Sequence, residues 1–132
     1  MNDRRILIDT SVWIDYFKGT DAQFQNKVDE ALTYGHIYVP KVVLAELIQG
    51  ARSEKEITVI EDFIDAFHVI DHTQDTWLKA GRLSFSMKKK GVTMSIIDCY
   101  IAVMADENGC IIFSLDRHFT SIKRFLNIEL LV

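Results

Sequence analysis

Cysteine is nearly absent: Cys99 and Cys110 are the only two in 132 residues, and no CxxC occurs. A disulfide framework and a zinc ribbon are therefore both excluded as organising devices, and a reducing cytoplasm is the expected setting. Long apolar runs are missing as well. Charges interrupt every hydrophobic stretch well short of the ~20 residues that a membrane span requires. The opening MNDRRILID holds an apolar run too short for the core of a signal peptide, so neither leader nor anchor is expected. Positive charge is not in excess. With a formal net charge of -4, a protein that grips nucleic acid with its whole surface is excluded, and any such contact must be local. The sequence also has no GxxxxGK[ST], GxGxxG or GxSxG, which removes the minimal parts of a nucleotide-binding loop or a serine hydrolase.

What is present is the balance of an ordinary globular chain, 48% hydrophobic and 26% charged, which excludes disorder as the default. The length suits one domain, residues 1–132, with one core. Repeats, linkers and low-complexity stretches are lacking. RILID reads as a short strand ending in an acid, and TSVWIDYFKG as a helix with Val12, Trp13, Tyr16 and Phe17 at helical spacing, stopped by Gly19. A second amphipathic helix over residues 21–34 leads through Gly35 to the strand HIYVP. KVVLAELIQGA then forms a helix that begins at Pro40 and carries Glu46. Another helix, 54–65, precedes the strand FHVI. Residues 74–90 predict a helix with Trp77, Leu78, Leu83 and Phe85 inward, ending at Gly91. SIIDCYIAVMADENG predicts a helix capped by Ser95, with Asp98 completing a capping box and Gly109 ending it. CIIFS, a short helix in DRHFTSIKRF, and a last strand in NIELLV close the chain. Short apolar strands alternating with helices imply a three-layer α/β/α sandwich around a mainly parallel sheet.

In such sheets ligands bind beyond the carboxyl ends of the strands. Asp9 and Asp116 each stand just past an apolar strand, on that rim. Glu46 lies inside VVLAELI, where a carboxylate is costly unless paired or bound to a metal. Asp98 lies one turn into a helix that is otherwise nearly all apolar. Each acid has a purely structural reading too: Asp9 or Asp116 as a helix N-cap, Asp98 as the partner of Ser95, Glu46 facing solvent. All four structural readings would have to hold together. Four carboxylates from distant segments instead suit a hard cation such as Mg²⁺ or Mn²⁺. His68 and His72 have HxxxH spacing but straddle a strand and its exit, so they read as surface histidines rather than zinc ligands. Lys79, Arg82, Lys88, Lys89 and Lys90 read as a solvated helix face or a local phosphate-binding patch, with Arg117 beside the last acid.

Taken together, ILIDTSVWIDYFKG, VVLAELIQGA, SIIDCYIAVMADENGCIIFSLD and DRHF resemble, in order and spacing, the PIN-domain family, and more narrowly its VapC-type toxins. The resemblance spans nearly the whole chain. It implies an endoribonuclease dependent on Mg²⁺ or Mn²⁺, homodimeric, and neutralised by a cognate antitoxin whose C-terminal segment lies across the active site. Asp9, Glu46, Asp98 and Asp116 match the family's acidic quartet. Ser11 matches its supporting hydroxyl, and Ser114 occupies a place often held by Thr. Where some relatives carry a further acid or Asn after the last Asp, this chain has Arg117 and His118, a departure that bears on a second metal. Asp15 is a candidate outer-sphere residue. The chemistry implied is attack of metal-activated water on a phosphodiester. Two other classes compete: a catalytically silent PIN-like binding module, and a HAD-like phosphatase, which needs DxD where this chain has Asp9-Thr10-Ser11.

Overall fold

The computed structural model describes residues 4–131, and its twelve elements alternate much as the apolar pattern predicts. The first strand, β1 (Arg5–Ile8), is followed by helices α1 (Thr10–Lys18) and α2 (Ala22–Tyr34), and β2 (His36–Pro40) by α3 (Lys41–Gln49) and α4 (Glu54–Ile64). The third strand, β3 (His68–Ile70), leads to α5 (Thr76–Lys89) and α6 (Ile96–Asn108), and β4 (Ile111–Phe113) to α7 (His118–Ile122) and β5 (Leu130–Leu131). All four strand pairings are parallel, in the order β3-β2-β1-β4-β5. The expected α/β/α sandwich is thus present, with a sheet that is wholly parallel among the described residues.

This strand order dictates where a site can form. The chain steps outward from β1 to β2 to β3, then returns across β1 to begin β4 on the other side. Right-handed crossovers place the helices of the two halves on opposite faces. Accordingly α1 packs on α2 and α3, and α3 on α4, while α5 packs on α6 and α6 on α7. The direction of winding reverses between β1 and β4, and at their carboxyl ends the first connections diverge to opposite faces and leave a crevice. Asp9 and Ser114 are the first residues past those two strands.

The sheet is held by burial on both faces. Ile6, Leu7 and Ile8 on the central strand are all buried, as are Ile112 and Phe113 on β4. Helix α6 buries seven consecutive residues, Cys99 to Ala105, so it is a core helix rather than an amphipathic one. It ends at Gly109, whose φ of 66° is left-handed and open to glycine without strain. Helix α5 departs from the expected face. Its buried residues are Thr76, Ala80, Leu83 and Met87, whereas Trp77, Leu78 and Phe85 are exposed. The face turned to α6 is the one with small residues that allow close approach. Thr76 is fully buried because its hydroxyl donates to Glu107 on α6 at 2.7 Å, which satisfies the polar group. Among the described residues no helix is long and apolar enough to cross a membrane.

Candidate functional site

Asp9 is the N-cap residue of α1, yet its side chain makes no capping bond. The N-cap reading of this carboxylate is therefore wrong. Although buried to 6% exposure, it is satisfied by two hydroxyls: Ser114 donates to Oδ2 at 2.7 Å and Ser11 to the same oxygen at 3.0 Å. Each serine has one proton and spends it on Asp9, so each oxygen remains an acceptor. Ser11 Oγ accepts the Leu115 amide at 3.0 Å, and Ser114 Oγ accepts the Asp116 amide at 2.9 Å. The 3.4 Å approach of the two hydroxyls is thus a contact between filled groups. Further, the Asp9 amide donates to the Phe113 carbonyl at 2.9 Å. Both serines hold the turn after β4 against the start of α1, and both leave Asp9 Oδ1 without a protein hydrogen bond among the described residues.

Asp98 stands in the first turn of α6. Ser95 caps this helix by accepting the Asp98 amide at 3.0 Å, as its spacing predicts. The reciprocal half of the capping box, Asp98 carboxylate to Ser95 amide, is not among the hydrogen bonds of the described residues, so capping does not account for this carboxylate. Burial, opposed by a hydrogen bond with Ser95, raises its pKa above the ordinary 3.8, and the negative charges of Asp116 and Asp9 raise it further. Asp116 reaches the same place from the turn after β4. Its Oδ1 accepts the His118 amide at 2.9 Å and lies 3.1 Å from His118 Nδ1. One donor atom from each of Asp98, Asp116 and His118 falls within 4.8 Å of the other two.

Glu46 enters from the opposite side, on α3. The Thr10 hydroxyl donates to its Oε1 at 2.8 Å, so neighbours on α1 fix both Asp9 and Glu46. Glu46 is half-buried and lines a cavity of about 830 Å³ with Ile14, Phe17, Leu47, Val59 and Ile60. Neither Asp9 nor Glu46 joins the three-residue group around Asp98, but the charge of Asp9 is felt there. Thr10 and His118, which the sequence names only as part of Asp9-Thr10-Ser11 and as a departure from the family's pattern, both touch site acids, Thr10 at Glu46 and His118 at Asp116.

The other candidates separate into near and far. Lys88, Lys89 and Lys90 are exposed at the end of α5, which the loop 91–95 joins to the first turn of α6. Lys89 Nζ lies over the Phe85 ring at 5.3 Å. Arg117 is exposed beside Asp116, and Arg82 is exposed on α5. Lys79 differs: it pairs with Glu107 at 3.1 Å, roughly 13 Å further along α6 than Asp98. Its charge is committed to joining α5 to α6. Asp15 is exposed and outside the acidic group. His68 and His72 are exposed, as expected, and His68 stacks on Tyr38 at 4.9 Å.

Carboxylates converging on one crevice repel one another unless a cation or protons intervene, and at Asp98 the charges of Asp116 and Asp9 add to the larger effect of burial in raising its pKa. The donors are carboxylate oxygens with one adjacent imidazole, which suits a hard or borderline divalent ion and fits no thiolate-seeking metal.

Known proteins share the sequence pattern and the fold of this chain. The PIN domain family profile matches residues 6–124. The chain is 28% identical to ribonuclease VapC11 of Mycobacterium tuberculosis over 94% of its own length and 96% of that protein. In fold it is similar to VapBC-1 from nontypeable Haemophilus influenzae, with a TM-score of 0.79 at 20% identity over 96% of each chain. It is likewise similar to VapBC-5 of Mycobacterium tuberculosis, a member of the VapBC family of toxin-antitoxin systems, with a TM-score of 0.69 at 21% identity over 96% and 97% of the two chains.

Proposed function

Because the chain belongs to the PIN-domain family, we propose that it is a ribonuclease dependent on Mg²⁺ or Mn²⁺, the toxin of a VapBC-type pair. The observation that carries this reading is the approach of Asp98 and Asp116 within a 4.8 Å group, beside an Asp9 held by two serines. When bound, a divalent cation neutralises the carboxylates, polarises the phosphodiester and makes water a competent nucleophile near neutral pH.

The residues divide the remaining work. Asp9 Oδ1, Asp98 and Asp116 hold the cation. Ser11 and Ser114 fix Asp9 so that its free oxygen faces the crevice. Glu46 has Oε1 engaged by Thr10, which leaves Oε2 to take the proton of the attacking water. Arg117 and the Lys88–Lys90 cluster offer local positive charge for RNA phosphates on an otherwise acidic protein. In-line attack by water leaves a 5′-phosphate and a 3′-hydroxyl. The apolar groove beside Glu46 is suited to an antitoxin's C-terminal segment, whose insertion would cover the acids. The working form is a cytoplasmic homodimer.

Incubation of purified protein with end-labelled RNA tests this reading. Cleavage is expected with Mg²⁺ or Mn²⁺, none in EDTA, and products with 5′-phosphate ends. Cleavage that persists in chelator, or 2′,3′-cyclic ends, overturns it.

A further inference from the structure

His118 is mostly exposed, with 69% of its side chain accessible, so packing does not dictate where its ring points. It nevertheless folds back over the last acid. Its amide and its Nδ1 both lie against Asp116 Oδ1, at 2.9 Å and 3.1 Å. Two ligands at adjacent corners of an octahedron with bonds of about 2.1–2.2 Å are about 3 Å apart, and opposite corners a little over 4 Å. The 3.1 Å spacing of Nδ1 and Oδ1 matches two adjacent corners, and with the Asp98 donor also within 4.8 Å of both, a small side-chain adjustment brings all three onto one coordination sphere.

We propose that His118 is a nitrogen ligand, completing with Asp98 and Asp116 a two-carboxylate, one-imidazole cation site that prefers Mn²⁺ to Mg²⁺. This rests on the metal-dependent reading above and deepens it. Mg²⁺ favours an all-oxygen shell that includes several waters, whereas imidazole suits the borderline transition ions. The three donors reach the site from two directions. Asp98 comes from the start of α6, and Asp116 and His118 come from the turn after β4 and the start of α7. Neither segment can hold the ion without the other.

Mn²⁺ alone is the probe, added to the full chain. Electron paramagnetic resonance reports the bound ion, and spin-echo modulation reports any nitrogen bonded to it. Wild type is expected to bind Mn²⁺ with ¹⁴N modulation. His118→Asp should still bind Mn²⁺ without that modulation, and its Mn²⁺ over Mg²⁺ preference should fall by about tenfold in competition. Asp98→Asn should lose the nitrogen-coupled ion. Bound Mn²⁺ without nitrogen coupling in wild type, or nitrogen coupling that survives His118→Asp or Asp98→Asn, overturns the proposal while leaving metal-dependent cleavage standing. Wild type that binds no Mn²⁺ at all overturns both. Because the substituted ring is exposed, unfolding of the variant does not obscure the result, and a melting curve confirms this directly.

Discussion

Ser114 donates to Asp9 Oδ2 at 2.7 Å across a separation of 105 residues, and the same Ser114 oxygen accepts the Asp116 amide at 2.9 Å. One hydroxyl therefore orients the first and the last of the four site acids together. Ser114→Ala should lower cation affinity by about 10- to 100-fold, the usual effect of losing a group that orients a ligand. It should also lower stability by about 1–2 kcal/mol, because a half-buried amide loses its acceptor. Ser114→Thr should preserve both. Calorimetric titration with Mn²⁺ and urea unfolding measure these, and wild-type affinity in Ser114→Ala would refute the orienting role.

Asp98 should govern stability in opposite directions with and without metal. Burial, then the charges of Asp116 and Asp9, raise its folded pKa above 3.8. The folded state thus binds this proton more tightly than the unfolded chain, and stability is lost as pH rises from 3.8 through the folded pKa. In EDTA, Asp98→Asn should melt above wild type at pH 7, and the gap should close as pH falls toward 3.8. Excess Mn²⁺ should reverse the order, since a ligand at 100 times its Kd stabilises by about 2.7 kcal/mol only the form that binds it. An Asn variant that is less stable at pH 7 without cation would mean that the Ser95 hydrogen bond outweighs burial and repulsion together.

Basic residues on α5 should divide by position. Lys88, Lys89 and Lys90 are exposed at its end, whereas Lys79 is bound to Glu107. Replacing the three terminal lysines with alanine should weaken single-stranded RNA binding and reduce the slope of log K against log salt by about 2. Lys79→Ala should leave RNA affinity unchanged and lower stability by about 1 kcal/mol, since the lysine is half exposed while the largely buried Glu107 keeps the Thr76 hydroxyl as a donor. Filter binding across a salt series distinguishes the two, and an equal effect from Lys79 would place RNA along the whole helix.

Gly35 should be the least replaceable glycine. A Cβ there would stand 2.7 Å from Ile6 Cδ1 and 2.9 Å from the Ala31 carbonyl oxygen. Gly35→Ala should destabilise by about 1–3 kcal/mol. Adding Ile6→Val removes the first clash and leaves the second, so the double variant should show a favourable coupling in a mutant cycle. Strict additivity in denaturant unfolding would show that the backbone carbonyl accounts for the whole penalty.

Much of this architecture is written locally. Apolar runs mark the strands, and Gly19 and Gly109 mark helix ends at φ 66°. Asp9 and Asp116 are legible because strand ends in a parallel sheet are where ligands bind. Helix α5 is misread because counting apolar residues does not reveal which face a partner helix covers. Thr76 and Ala80 permit close approach to α6, while Trp77 stays partly exposed and stacks on Tyr100 at 4.2 Å. The bond from Thr10 to Glu46 and that from Lys79 to Glu107 join segments 36 and 28 residues apart, and spacing alone cannot measure such distances. His118 had a local signal, two positions after an acid at a strand exit, but its ring direction is a tertiary fact.

The return of the chain across β1 to form β4 has a temporal consequence. A polypeptide leaving the ribosome amino end first can pair β1, β2 and β3 before Asp98 and Asp116 have been synthesised. Asp9 then lacks both the Phe113 carbonyl that receives its amide and the Ser114 hydroxyl that holds its carboxylate. On the proposed reading, in which Asp98 and Asp116 hold the cation, a growing chain that cuts RNA is expected to stay inactive toward the message and ribosome that produce it through most of elongation. Fragments from interrupted translation are then expected to be inert, and activity to arise only when synthesis is nearly complete.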